Sequence, residues 1–360
     1  MNKLLGITFL TLSTLSVDAQ TFLEWAGRLG GNGNDIATSV TTDGYGNAYS
    51  AGYFENSADF DPGTGIVNLT SNGGSDIFIS KLDMFGNYLW SKRIGGTGND
   101  KANCIKSDMM GNIYVTGYFE NAVDFDPGPG TFNMTANQIS PLPTPGDAFV
   151  LKLDAAGNFV WAMQIKGCYA EGAAITLDNH GNVYTSGIFM CTADFDPGPG
   201  IFNMTGPSSS SSGSGFILKL DTSGSFKWAK QFLGSTSVPG AKYCKVFAVT
   251  TDTVGNVFST GSFIGSVDFD PGTAINNLTS FPQTTAYPPD AFVSKLDTAG
   301  NFVWVRQLGG SNYNEGRAIS IDPSGNIYTA GMLYGSVDLI QELPSLISQH
   351  WAPAIFMYPS

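Results

Sequence analysis

The sequence predicts an all-β fold, a β-propeller of four-stranded blades, on the strength of three recurring marks. A Gly-Asn pair followed by an aromatic run returns as "GNAYSAGYF", "GNIYVTGYF", "GNVYTSGIF", "GNVFSTGSF" and "GNIYTAGML". Its asparagines, Asn47, Asn112, Asn182, Asn256 and Asn326, stand 65 to 74 residues apart. The runs "SDIFISKLD", "DAFVLKLD", "GFILKLD" and "DAFVSKLD" are the second mark. The third is tryptophan: five of the six fall at one repeat position, in "LEWAGRLGG", "YLWSKRIGG", "FVWAMQI", "FKWAKQF" and "FVWVRQLGG". Self-similarity at a long period marks a repeat architecture, whose copies bury their apolar faces against one another.

Each unit reads as four β-type runs, which in the second copy are "KANCIKSD", "NIYVTGYF", "DAFVLKLD" and "NFVWAMQI". Turn signals "DMMGN" and "DAAGN" join the first run to the second and the third to the fourth. The long segment "VDFDPGPGTFNMT" joins the second to the third. Tyr114 and Tyr118 lie on one face of the second run, with Ile113, Val115 and Phe119 on the other. A strand apolar on both faces lies between sheets, and such sheets repeated radially make a propeller. The N-terminal "TFLEWAGRLGG" reads as a fourth strand without predecessors. The last unit supplies "GRAISID", "GNIYTAGML" and a degenerate third run in "APAIFMYPS". Joined in one blade, the two ends complete five blades; the alternative is an arc of a longer ring.

Composition narrows the function classes. Apolar residues make up 42% of the 360, enough for a large core. A net charge of −13 repels a nucleic acid backbone, and no basic run offers itself to an anionic membrane. Residues 1–19 read as a secretory signal, cut between Ala19 and Gln20, which leaves 20–360 as a single domain. No later stretch suits a membrane span, so the expectation is a monomer that is secreted or held at the cell surface.

The runs D-x-x-G-N-x-Y-x-x-G-x-F and D-x-F-x-x-K-L-D resemble the SBBP repeat, a bacterial β-propeller repeat associated with exported and cell-surface proteins. The resemblance covers essentially the whole mature chain. It implies the fold and a surface location, and it implies little about activity, because the family is defined by architecture.

Candidate site residues come from the repeated loops. "DFDPG" carries Asp59 and Asp61, Asp124 and Asp126, Asp194 and Asp196, and Asp268 and Asp270, while the fifth copy keeps only Asp338 in "SVDLIQE". Loops between units add Asp35, Asp100 and Glu315. Strand order places both classes at one end of the blades. Alternating aspartates in a glycine-bearing loop supply oxygens of the kind Ca²⁺ takes, but no bidentate Glu follows at the usual spacing. The competing and favoured reading is a turn, in which Asp accepts backbone N–H groups and Pro and Gly set the dihedrals.

Other marks have bland readings. The tryptophans could stack on sugars, but alternate with Ile94, Ile165 and Leu308 and read as packing between blades. Lys81, Lys152, Lys219 and Lys295 of "KLD" could meet an acidic neighbour or reach solvent. N-x-T sequons at Asn68, Asn133, Asn203 and Asn277 share one repeat position and read as duplicated loop residues. A hairpin turning at 178–182 sets Cys168 opposite the neighbourhood of Cys191, so a disulfide is expected there. Cys104 and Cys244 lie in other units and are not expected to pair.

Only His180 and His350 are histidines, neither repeats, and no nucleophile elbow or phosphate loop is present. A binding or scaffolding module for a surface protein or a polysaccharide is therefore the first expectation, with no enzyme activity and no cofactor beyond a conditional Ca²⁺. A lectin-like propeller and a glycoside hydrolase are the alternatives.

Overall fold

The computed structural model describes residues 24–137, 146–207, 212–234, 243–281, 288–310, 312–334, 337–338 and 355–357. The expected signal segment, the insertions at 138–145 and 208–211, and His350 lie outside the described residues. Strands meet through tight turns in which aspartate holds its own backbone. Asp108 Oδ1 accepts the N–H groups of Met110 at 3.0 Å and Asn112 at 2.9 Å, and Asn112 Nδ2 donates to Asp108 Oδ2 at 2.7 Å. Gly111 takes φ = 83°, a value that L-residues with a Cβ avoid. The Gly-Asn mark is thus a turn lock, repeated at Asp43, Asp83, Asp154, Asp178, Asp252, Asp297 and Asp322.

Four units are complete antiparallel sheets. In unit two the order is Phe159–Ile165, Asp147–Leu153, Ile113–Phe119, Lys101–Ser107. Unit one runs through Ile36–Thr42, Ala48–Asp59, Asn68–Leu82 and Tyr88–Ile94. Unit three has Tyr169–Leu177, Val183–Met190, Ser214–Leu220 and Phe226–Gly234, and unit four has Tyr243–Thr251, Val257–Ile264, Asp290–Leu296 and Phe302–Gly310. Four of the five apolar clusters span successive units, as where Tyr49, Ile77 and Ile79 of unit one pack with Ile105, Val115 and Leu151 of unit two. The core is the set of seams between sheets, as blades that bury both faces require.

The segment between second and third strands forms a two-stranded arm. Its backbone turns off the second strand at a residue of positive φ, filled by Asn56 (61°), Asn121 (59°), Cys191 (58°) and Gly265 (76°). Arm strands Ser266–Asp268 and Asn277–Thr279 then extend the sheet of the preceding unit, with Leu233 opposite Asp268 and Gly234 opposite Val267. The same pairing joins Gly309 to Asp338, Gly310 to Val337, and Lys166 to Asp194. The arms of units three, four and five therefore pair with the end of the fourth strand of the sheet before them, where unpaired N–H and C=O groups would otherwise be open to another strand. The phenylalanine of DFDPG anchors the arm in its own unit. Phe195 is fully buried, 5.0 Å from Phe189 and 5.2 Å from Phe216 between ring centroids. Phe60, Phe125 and Phe269 occupy equivalent aromatic triads.

The two ends depart from the expected closure. Ile355–Met357 does lie beside Ile327–Leu333 of unit five, but in parallel, not antiparallel like every other third strand. The fifth copy lacks the F-D-P-G that reverses the chain in the other four. The N-terminal Gly30 and Gly31 pair with Asp59 and Ala58 of unit one. Among the described residues this pairing is not extended to unit five. The first strand of unit one is accordingly uncovered: Val40 is 68% exposed, whereas Ile105 at the same repeat position is 0% exposed.

Truncating the anchor tests the arm. Phe195→Ala removes a fully buried ring and is expected to lower unfolding stability by about 3–5 kcal/mol, measured by urea denaturation. Phe202→Ala, at the exposed foot of the same arm, should cost distinctly less.

Candidate functional site

The DFDPG carboxylates are turned onto their own loops. Asp59 Oδ1 accepts the N–H groups of Asp61 at 3.0 Å and Val67 at 2.8 Å, and Asp61 Oδ1 accepts that of Gly63 at 2.8 Å. Asp124 and Asp126, Asp194 and Asp196, and Asp268 and Asp270 repeat this set. The Val67 and then the Asp61 N–H groups hold the Asp59 carboxyl below the usual range. Among the described residues no three His, Cys, Asp or Glu side chains converge where a metal could sit. These bonds are those of the turn reading, and each uses one oxygen of the carboxylate.

Their location also differs from the expectation of one acidic end face. The arms run down the outer wall, and the tip Asp196–Pro199 lines a 370 Å³ cleft together with Trp161 and Met163 of unit two and Phe226 of its own unit. The sequon residues Asn133 and Asn203 begin the exposed return strands of these arms. The opposite end of the blades carries the aspartates of the turn locks, so carboxylates stand on both sides.

Successive units are joined by tryptophan and lysine. Trp161 Nε1 and Lys152 Nζ of unit two both donate to Thr222 O of unit three, each at 3.4 Å. Trp90 and Lys81 meet Ala155 O at 3.3 and 3.1 Å, and Trp228 and Lys219 meet Thr298 O at 3.4 Å. The lysines therefore lie over an aromatic ring of their own unit, as Lys152 does over Tyr114 at 4.9 Å, instead of reaching solvent. Gly224 sits under Trp161, where an added Cβ would be 3.0 Å from the indole. Trp25 Nε1 donates to Met84 O at 3.2 Å in the same way, so the N-terminal segment occupies the place of a preceding fourth strand.

A second set of aspartates is buried. Asp147, 0% exposed, accepts the N–H groups of Gly167 at 3.1 Å and Asn137 at 3.0 Å and a bond from Gln164 Nε2 at 2.5 Å. Asp76 is bound by Arg93 at 2.6 Å and Asp290 by Gln307 at 2.7 Å. Burial raises the carboxyl pKa of all three. Sequence reasoning passed over them, although the D-x-F of the second repeat mark signalled them. Asp100, also 0% exposed, accepts from Gly96 N at 2.7 Å and Glu120 N at 3.0 Å, and burial pushes its carboxyl up to about 7. Its counterpart in unit five is Asn314, whose Oδ1 accepts Tyr334 N at 3.3 Å, and not Glu315 as the loop spacing suggested.

The family match agrees with this architecture. Residues 303–332, which run from the fourth strand of unit four through the first two strands of unit five, match the family model described as SBBP, β-propeller repeat. The fold is an all-β, propeller-like repeat architecture, and residues 303–332 carry the β-propeller repeat. It is also similar to an uncharacterized WD repeat-containing protein of Acanthamoeba polyphaga mimivirus, 30% identical over 196 residues that make up 49% of this chain and 14% of that protein. Among solved structures, it is similar to a protein of unknown function from Bacteroides caccae (TM-score 0.30, 10% identity, 75% of this chain and 81% of that one). It is likewise similar to Sqt1 from Chaetomium thermophilum (TM-score 0.26, 11% identity, 82% and 93%).

The inner wall of the propeller is where the units stop being alike. The first strands of successive units lie side by side, and each carries a β-bulge, between Gly172 and Ala174 in unit three and between Val246 and Ala248 in unit four. Across this wall Lys245 pairs with Glu171 at 2.8 Å, Asn103 Nδ2 donates to Glu171 at 3.1 Å, and Tyr169 OH donates to Glu171 at 2.9 Å. Arg317 lies over Phe247 at 4.2 Å and pairs with Glu315, which also accepts from Tyr313 OH. Burial, then the Glu315 hydrogen bond, pushes the Tyr313 hydroxyl up to about 12.

Cys168 and Cys191 form a disulfide with a Cα–Cα distance of 5.9 Å, joining the start of the first strand of unit three to the root of its arm. Cys104 is half-buried and free; Cys244 is buried and free, with burial raising its thiol pKa.

Two measurements follow from this geometry. A carboxyl whose folded pKa is raised stabilises the fold below the unfolded value, about 3.9, and loses that contribution as pH rises through about 7. The stability of the wild type relative to Asp100→Asn should therefore fall between about pH 4 and 7 and level off above, as read by denaturation at each pH. Reducing the disulfide, which spans 23 residues, should cost about 3 kcal/mol. Thiol titration of the unfolded chain should count two thiols before reduction and four after.

Proposed function

We propose that this propeller is an exported, non-catalytic binding scaffold. The observation that carries the reading is the use of the repeated carboxylates: every DFDPG aspartate holds its own loop, so the repeated acidic motif builds a platform, not a reactive centre. Rigid seams favour the same reading. Tryptophan and lysine lock units one, two and three to the units that follow them, and a preorganised surface binds without the cost of ordering itself. The WD repeat-containing relative is consistent with a propeller used for interaction. Export rests on the expected signal at residues 1–19, and the partner is then a surface protein or a polysaccharide of the producing cell.

Immobilised mature chain, incubated separately with solubilised surface proteins and with soluble polysaccharides from the producing cell, should retain one of them saturably and chemically unaltered. Turnover of the retained component, or retention of neither, would reject the scaffold. The thermal midpoint should be the same in calcium chloride and in EDTA. A rise that grows with calcium concentration would restore a metal bound to the native state.

A further inference from the structure

Copies of a module retain what the fold demands, so the positions at which otherwise faithful copies diverge report a demand of another kind. The turn locks, arms and seam tryptophans repeat with little change. The first strands do not. Seven residues before each lock aspartate stand Ile36, Lys101, Glu171, Lys245 and Glu315, and nine before it stand Asn34, Asn99, Tyr169, Tyr243 and Tyr313. Charge alternates from unit two to unit five, and tyrosine replaces asparagine in units three to five.

We infer that the inner wall of units three to five, at the end where the first strands begin, is a binding site for a neutral carbohydrate. The inference rests on the scaffold reading and gives it a ligand class. Three features of the wall select that class. Aromatic bodies with polar tips line it: Tyr169, Tyr243 and Tyr313 follow one another across the three units, and Tyr243 lies within electrostatic reach of Glu171, Glu315 and Tyr313. Such side chains bury apolar faces while keeping a hydrogen-bonding end, which suits a sugar ring with its C–H face and hydroxyl rim. The charges are paired within the wall, Lys245 with Glu171 and Arg317 with Glu315. None of these four charges stands unmatched, yet carboxylate lone pairs and cationic N–H groups remain to accept from and donate to neutral hydroxyls. There is also room: a shallow, open hollow of 560 Å³ lined by Asn312, Tyr313, Met332 and Tyr334 meets the wall at Tyr313.

Affinity electrophoresis of the mature chain in gels containing laminarin, dextran, galactomannan or polygalacturonate tests this. At least one of the three neutral polysaccharides should retard the protein. Tyr313→Ala, whose side chain is 41% exposed and removable without harm to the core, should weaken that retardation at least tenfold. Tyr243→Ala should do the same, with an unfolding midpoint showing it folded, while Tyr45→Ala on an exposed turn should behave as wild type. No retardation by the neutral polymers, retardation by polygalacturonate alone, or retardation indifferent to Tyr313→Ala would overturn the inference. Retention of a surface protein together with any of those results would leave the scaffold standing without this site.

Discussion

The outermost strand of a four-stranded sheet has one row of N–H and C=O groups with no partner inside its own sheet, and the arm of the following unit pairs with the last residues of that row. Gly234 and Leu233 of unit three meet Val267 and Asp268 of unit four, and the pairing at Gly309 and Gly310 shows the same device. The arm belongs to one unit by its phenylalanine and to the preceding one by its backbone. Units three, four and five are therefore fastened to their predecessors at the end of the outer strand by hydrogen bonds, while the interior of the seam is fastened by apolar contact. Edge protection and assembly are the same interaction here. The tryptophan seam and the alignment of the first strands depend on it, because both require successive sheets to keep one separation and tilt.

Aspartate serves three physical ends in this chain, and burial separates them. In the turn locks, most of them nearer solvent than the buried Asp43, it receives N–H groups two and four residues ahead, as Asp83 does from Phe85 and Asn87. The Asn87 amide holds the Asp83 carboxyl below its ordinary range. In the arms the same acceptor geometry spans a longer loop, from Asp59 to Val67. In the cores of the units, Asp76, Asp147 and Asp290 satisfy loop N–H groups that would otherwise be buried without partners, and there desolvation raises the pKa in spite of the bonds. The acidity of the chain is thus largely a consequence of using carboxylates as fixed acceptors for irregular backbone.

Duplication sharpens the reading of the inner wall. Val40 at the free face of unit one shows what a seam position looks like without a neighbour, since Ile175 and Val249 at the same place are buried. Against that background, the change from Asn34 and Asn99 to Tyr169, Tyr243 and Tyr313 is not required by packing between sheets. Glu171 is the most heavily bonded of these groups, held by Tyr169, Asn103 and Lys245 from three different units. A carboxylate tied by three donors keeps its position whether or not a ligand is present, which is the condition for a preorganised site.

The sequence by itself determined the strand order within a unit, the places of the turns and the seam role of tryptophan. All three follow from local signals: alternation of apolar residues, glycine at positive φ, and aspartate within reach of its own backbone. The pairing of Cys168 with Cys191 was legible for the same reason, because a hairpin sets its register from its turn. Only the tertiary structure decided where the arms go, since nothing in "DFDPG" says that its backbone pairs with a different unit. The lysines over tyrosine, the burial of Asp100 and the role of Asn314 in place of Glu315 were equally hidden. Each depends on which neighbour stands across a seam, and that is a property of how whole sheets stack, over distances that no local pattern of residues encodes.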